Sequence, residues 1–274
     1  MARKLPAVLG MMLLIVAGCG KPSGEAEPAA TTLRVGSQQS YIPGEFRAEG
    51  SDELQGFGVD IIDEIGKRLG LTPEWVQSDY SALITGLQAG QFDMGSGGMS
   101  VNPERLQQVD MIGYFQSGAT FLVRKEDEGG YSTAEEMCGK KLGMLEGSTT
   151  LEKAVAALCP DDPIQIEFYT STPLGLQGLL SERITAYAPD LAQAQYIVKE
   201  NPTQFATTGY HLVDYLINFT FAKGGDTALR DDVFRTLDEM IKDGSYTKIL
   251  EGWNLKTGGL TRPAYNGDLT GKPS

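Results

Sequence analysis

Short β-type runs alternate with stretches of helical periodicity along most of this chain. Residues 33–36 read as a strand; Ile61, Ile62, Ile65 and Leu69 then recur at helical spacing, and Gly70 sits where that helix ends. Ala82, Leu83, Ile84 and Leu87 give a second helix closed by Gly90, followed by a strand over 92–96. Asn102-Pro103 opens another helix, with Asn as cap and Pro in the first turn. Further strands are expected at 119–123, 141–145, 164–168, 184–188 and 218–222, and helices at 149–158, 173–180 and from Asp190 to about Val198. Val233, Leu237 and Ile241 line one more helix, and Tyr246, Ile249, Leu250 and Trp253 another. From about Lys256 the chain is rich in Gly and Pro and reads as irregular. Such alternation implies an α/β fold with mostly parallel sheet and helices on both faces. Two such runs predict two lobes.

The N-terminus differs. Arg3 and Lys4 precede an apolar run over 5–17, and small residues lead to Cys19. This is the layout of an export signal, too short to span a bilayer as a stable helix. Val16-Ala17-Gly18-Cys19 resembles the lipobox of bacterial lipoproteins, which implies a signal peptide over 1–18, cleavage before Cys19 and acylation of that residue. Several acyl chains give stable anchoring where one is marginal. Residues 19–31 are small and polar without periodicity and read as a tether between membrane and domain. An ordinary secreted protein is the alternative; either way the chain works outside the cytoplasm.

A formal charge of −13 argues against nucleic-acid binding. The single histidine, His211, leaves little for a metal site or for neutral acid–base chemistry, and no cofactor is expected. After Cys19 the remaining cysteines are Cys138 and Cys159. In an oxidising compartment pairing is the default, worth ~3 kcal/mol for a short loop, with two buried thiols as the alternative.

Four stretches resemble the polar amino-acid family of solute-binding proteins of ABC importers. They are Leu54-Gln55-Gly56-Phe57-Gly58-Val59-Asp60, with Gly58 in place of that family's first Asp; the run over 83–93; Ser96-Gly97-Gly98-Met99-Ser100-Val101-Asn102-Pro103-Glu104-Arg105; and Asp243-Gly244-Ser245-Tyr246-Thr247-Lys248-Ile249. Their order and spacing carry the likeness. The resemblance implies a type II periplasmic-binding-protein fold with ligand in the cleft between lobes. Lobe 1 would be 32–116 with 219–255, lobe 2 117–218, and 256–274 a C-terminal tail. It also implies a monomer, permease subunits as partners, and a disulfide between Cys138 and Cys159.

An α-amino acid needs a donor for its carboxylate and an acceptor for its ammonium, since burying either ion unpaired is costly. Arg105 matches the arginine of the family's E-R motif, and its planar fork suits a carboxylate; the bland reading is a solvated first-turn arginine. Ser100, Ser148 and Thr149 lie in loops entering helices, where ligand contact and N-capping are compatible. Asp190 matches the family's ammonium ligand, with N-capping as its bland reading, and Gly98 offers a second acceptor. Tyr41 matches an aromatic that covers the ligand in relatives. Gln38 stands where binders of basic amino acids often carry Asp, so a neutral polar ligand such as glutamine fits it best; Glu45, Tyr80 and Tyr114 could contribute. Two other functions share this fold: a cyclohexadienyl dehydratase-like enzyme, for which no signature of a buried acid is visible, and a sensor read by a separate signalling partner.

Overall fold

The structure is a computed structural model and describes residues 32–48 and 50–273. The expected signal peptide, Cys19 and the expected tether lie outside these residues. The first half runs β1 (Thr32–Ser37), β2 (Ser40–Tyr41), β3 (Glu45–Arg47), β4 (Leu54–Gln55), α1 (Phe57–Leu69), β5 (Thr72–Gln77), α2 (Leu83–Gln88), β6 (Met94–Ser100), α3 (Pro103–Leu106) and β7 (Val109–Arg124). The second runs β8 (Lys141–Leu145), α4 (Thr149–Ala156), β9 (Gln165–Tyr169), α5 (Thr172–Leu180), β10 (Ala186–Tyr187), α6 (Leu191–Glu200), β11 (Phe205–Ala222), α7 (Thr227–Asp243), α8 (Ser245–Gly252) and β12 (Ala264–Tyr265).

One sheet of order β5-β1-β6-β11-β7-β10-β8-β9 holds the molecule together, with β12 added beside β7. Its two wings are parallel: β1 pairs with β5 and β6, and β8 with β9 and β10. Between them β7 and β11 run antiparallel, from Val109 opposite Ala222 to Arg124 opposite Phe205, with register shifts on either side of His211 and between Ile217 and Asn218. These two strands pass through both lobes of the α/β fold.

Each wing has its own apolar core. On one side Leu33 and Val35 of β1 pack with Ile61, Ile62 and Ile65 of α1 and Val233 and Leu237 of α7. The three isoleucines are fully buried, each worth ~1.5–3 kcal/mol by area transfer. On the other side Phe121 and Val123 of β7 pack with Leu142 and Met144 of β8 and Leu151 and Val155 of α4. Cys138 and Cys159 are joined, with Cα atoms 5.6 Å apart, tying the turn before β8 to the segment after α4.

Several expectations change. The strands expected at 119–123 and 218–222 are fragments of β7 and β11, which span 16 and 18 residues. Polar Gln116 and Ser117, and the run from Thr207 to Tyr215, hide the extension, because these residues cross between the lobes instead of lining one core. The strand expected at 92–96 begins at Met94, since Phe92 turns its ring beneath Gly36 and Gly86. The stretch after Lys256 is not wholly irregular: Ala264 and Tyr265 pair with Gly113 and Ile112.

Candidate functional site

Where the wings face each other, a cavity open to solvent is lined by Gln38, Tyr41, Tyr80, Gly98 and Ser100 on one side. The facing wall brings Ser148, Tyr187, Asp190 and Gln193, with Tyr215 from β11. The first wall is made by the carboxyl ends of β1 and β6, where ligands gather in open α/β sheets. Gly98 has φ 78°, and a Cβ there would lie 2.9 Å from the Tyr41 ring. Only glycine lets that ring lie against the main chain at this wall.

Asp190 caps α6. Its Oδ1 accepts the Gln193 N–H at 2.9 Å, and the Ser117 hydroxyl donates to the same oxygen at 3.4 Å. Burial pushes its carboxyl up to about 6, while the Gln193 N–H and the Tyr41 and Ser117 hydroxyls pull it back. Capping and placement in the cavity therefore coexist, as the sequence allows.

Arg105 is buried at 6% exposure, which removes the bland reading of a solvated arginine. Asn102 caps its helix, accepting the Arg105 N–H at 2.8 Å. The guanidinium does not line the cavity that holds Asp190. Nη1 donates to Ser100 O at 2.6 Å and Ser100 Oγ at 3.0 Å, and Nη2 to Gly147 O at 2.8 Å on the opposite wall. It lies 5.7 Å over the Tyr80 ring and lines a neighbouring cavity with Thr149. Further contacts cross here: Ser100 Oγ donates to Thr150 Oγ1 at 2.9 Å, Asn102 Nδ2 to Thr149 Oγ1 at 2.9 Å, and Lys153 Nζ to Glu104 Oε1 at 2.6 Å. Ser148 occupies the cap position of α4 but makes no side-chain cap bond. The cavity thus collects Gln38, Tyr41, Gly98, Ser100, Ser148 and Asp190, and leaves Arg105 and Thr149 one layer away.

Glu45 and Tyr114, named as possible contributors, do not line it. Glu45 is fully buried behind the first wall, accepts from the Ser96 hydroxyl, and burial raises its carboxyl to about 8. A Cβ at position 58 would stand 2.2 Å from Glu45 Oε1, which explains Gly58 where the family carries Asp. Tyr114 stacks on Phe219 with ring centroids 4.0 Å apart, inside the first core. Glu45 is a fully buried acid, but it lies behind the wall and not in the cavity, whereas Asp190 lines the cavity and is half-buried.

The sequence reading missed Tyr187, Tyr215 and Gln193. Gln193 stands three residues after Asp190, the spacing of a capping box, which was the available signal. His211 is half exposed beside Asp214, away from the cavity. Among the described residues no cluster of His, Cys, Asp or Glu could hold a metal, and no helix is long and apolar enough to cross a membrane.

The chain is 26% identical over 256 residues to a probable histidine-binding protein of Campylobacter jejuni, covering 92% of this chain and 97% of that protein. An ancestral arginine-binding protein solved with arginine matches with a TM-score of 0.75 at 32% identity, covering 81% of this chain and 98% of that one. An ancestral amino acid-binding protein described as a precursor of cyclohexadienyl dehydratase matches with a TM-score of 0.73 at 30% identity, over 81% and 95% of the two chains. The model of the bacterial extracellular solute-binding proteins, family 3, matches residues 33–256, and this chain belongs to that family.

Proposed function

We propose that this chain is an extracytoplasmic binding protein that captures a polar amino acid as its lobes close and hands it to the permease subunits of an ABC importer. One observation carries this reading: a cavity walled by both wings of the sheet, with the desolvated carboxylate of Asp190 in its lining. An ammonium would relieve that desolvation directly. Names of similar proteins support an amino acid as the ligand.

Asp190 takes the ammonium, with the Gly98 carbonyl as second acceptor. Arg105 takes the carboxylate at the Ser100 wall, exchanging a carbonyl acceptor for a carboxylate oxygen in a stronger charge-assisted bond. Ser100, Ser148 and Thr149 complete that end, Tyr41 covers the ligand, and Gln38 faces its side chain. Lobe 1 comprises 32–116 and 219–255, lobe 2 comprises 117–218, and 256–274 forms a tail that returns to β7. Contacts to both lobes exist together only in the closed state, so ligand stabilises closure. Cys19 carries the lipid anchor, and the protein acts as a monomer without cofactor.

The test is a thermal-shift screen of the full chain against the twenty amino acids, followed by calorimetry. A stabilising amino acid recovered unchanged after long incubation is the expected result. No stabilisation by any of the twenty removes the amino-acid reading. Conversion of the bound compound would favour a dehydratase-like enzyme instead, for which Asp190 is the acid in the lining.

A further inference from the structure

Two glutamines face the cavity from opposite sides. Gln38 follows β1 and is 5% exposed; Gln193 sits in the first turn of α6 and is 4% exposed. Both line the space that contains Asp190. The Gln193 main chain is engaged, its N–H donating to Asp190 Oδ1, yet its carboxamide has no hydrogen-bond partner among the described residues. Gln38 Oε1 receives a long contact from Ser40 Oγ at 3.5 Å, and its Nε2 donates to no described residue. Neither amide is among the sealed, unsatisfied side-chain atoms, so both open onto the cavity.

In the free chain water in the cavity can meet these amides, but a ligand that displaces that water must replace its hydrogen bonds or leave the amides unpaired at a cost. The spacing from Asp190 to Gln193 would allow Gln193 to fold back as a capping-box residue, but the side chain turns to the cavity instead. Each carboxamide presents one donor group and one acceptor. The group that satisfies two of them at once is neutral and has both functions, which describes a third carboxamide.

The other side-chain classes fit worse. Among the described residues Asp190 is the one carboxylate lining the cavity, and on the amino-acid reading it takes the α-ammonium. A guanidinium or second ammonium would be buried without a counter-charge. An acidic side chain would meet Asp190 with no lysine or arginine in the lining. An aliphatic side chain would leave both amides unpaired, the situation in which polar sites discriminate most strongly. We infer that the ligand carries a neutral carboxamide side chain, as L-glutamine and L-asparagine do, and that Gln193 and Gln38 are the residues that select it. This rests on the amino-acid-binding reading and narrows it.

The experiment is calorimetric titration of the full chain in detergent at neutral pH with L-glutamine, L-asparagine, L-histidine, L-arginine, L-glutamate and L-methionine. An amide amino acid should bind at least ~100-fold more tightly than arginine, glutamate or methionine. Gln193→Met keeps the side-chain length and removes the amide. It should weaken glutamine ~10- to 100-fold and narrow the ratio of glutamine to methionine, without lowering the unfolding temperature of the free chain. Gln193→Glu should move preference toward arginine. Tighter binding of arginine, histidine or methionine than of both amides overturns the amide assignment while leaving the amino-acid reading intact. So does unchanged discrimination in a folded Gln193→Met. Absence of binding to both amides by the folded wild type overturns the amide assignment, and absence of stabilisation by any of the twenty in the thermal-shift screen overturns both. If Gln193→Met does not fold, the wild-type panel still decides.

Discussion

The two ends of the cleft are built on opposite plans. At the Arg105 end the walls touch: Arg105 reaches Gly147 O, Ser100 reaches Thr150, Asn102 reaches Thr149, and Lys153 reaches Glu104. At the Asp190 end they stand apart around a cavity whose carboxylate accepts the Gln193 N–H, has the Ser117 and Tyr41 hydroxyls beside it, and is pushed up to about 6 by burial. The first end satisfies its polar groups within the protein and holds the walls together. The second leaves a desolvated acid and two amides for a ligand to satisfy. The contacts that join the walls are thus concentrated at the Arg105 end, so the Asp190 end can be perturbed without loosening them, whereas Arg105 serves closure and the ligand carboxylate together.

The largest expected effect breaks that division at its charged groups. Asp190→Ala should abolish detectable amino-acid binding, a loss of ~2–5 kcal/mol or about 30- to several-thousand-fold, because the ligand ammonium would be buried unpaired. Arg105→Ala should lose as much, with an added signature: the free chain should also open, since the contact with Gly147 goes too. Calorimetry measures the first effect and small-angle scattering of the free proteins the second, after circular dichroism has shown both variants folded. An Asp190→Ala variant that opens like Arg105→Ala would erase the distinction between the ends. Near wild-type affinity in folded Arg105→Ala would reject its carboxylate role.

A smaller effect approaches the Asp190 end from behind, through Glu45. Gly58→Asp restores the residue of the family pattern but drives a carboxylate against Glu45 Oε1, which lies 2.2 Å from where the new Cβ would stand. Overpacking alone costs ~1–3 kcal/mol, and urea denaturation should show at least that. Glu45→Ala in the same chain should recover part of the loss, a non-additivity expected only of groups in contact. Simple addition of the two losses would show that Gly58 is not glycine on account of Glu45.

Acid should act on affinity and stability in opposite directions. Protonated Asp190 cannot attract an ammonium, so the dissociation constant should rise by up to about tenfold per pH unit as pH falls below about 6. Its carboxyl is raised above the unfolded value, so the folded free chain binds the extra proton between about 4 and 6. Its contribution to stability is complete below that window and is lost as pH rises through it. Glu45 does the same up to about 8. Tyr41, Tyr187 and Tyr215 face Asp190 but stay protonated throughout, their hydroxyls pushed up by burial. Calorimetric affinity at stepped pH, with denaturation of the free chain alongside, tests both signs. Affinity that is flat from pH 7 to 5 would mean Asp190 does not meet the ammonium.

How legible these ends were in the sequence follows from how local their signals are. Elements with their own apolar face and cap, such as α1 with Ile61, Ile62, Ile65 and Gly70, could be read directly. So could Asp190 and Asn102, whose capping roles depend on residues three positions away. The full length of β7 and β11 could not, because their polar middle segments are ordered by pairing with each other. The separation of Arg105 from the cavity depends on Gly147, distant in sequence, and the buried Glu45 depends on Gly58 making room. Gln193 carried only a capping-box spacing, which gives no sign that its residue lines the cavity.

The smallest expected effect is the most direct test of what holds the Arg105 end. Glu104 and Lys153 form an ion pair of 2.6 Å across the walls, but both side chains are 61% exposed. Water and salt screen such a pair, and ordering two long side chains offsets much of the attraction. Lys153→Met should therefore change amino-acid affinity by less than about threefold, and that change should vanish when ionic strength is raised. Asn102→Ala should do more, since it removes the α3 cap together with the contact to Thr149. The ordering distinguishes two kinds of latch. If buried hydrogen bonds hold the walls, loss grows from Lys153 through Asn102 to Arg105 and responds little to salt. If surface charge holds them, Lys153→Met costs as much as Arg105→Ala and the wild type itself weakens steeply with salt.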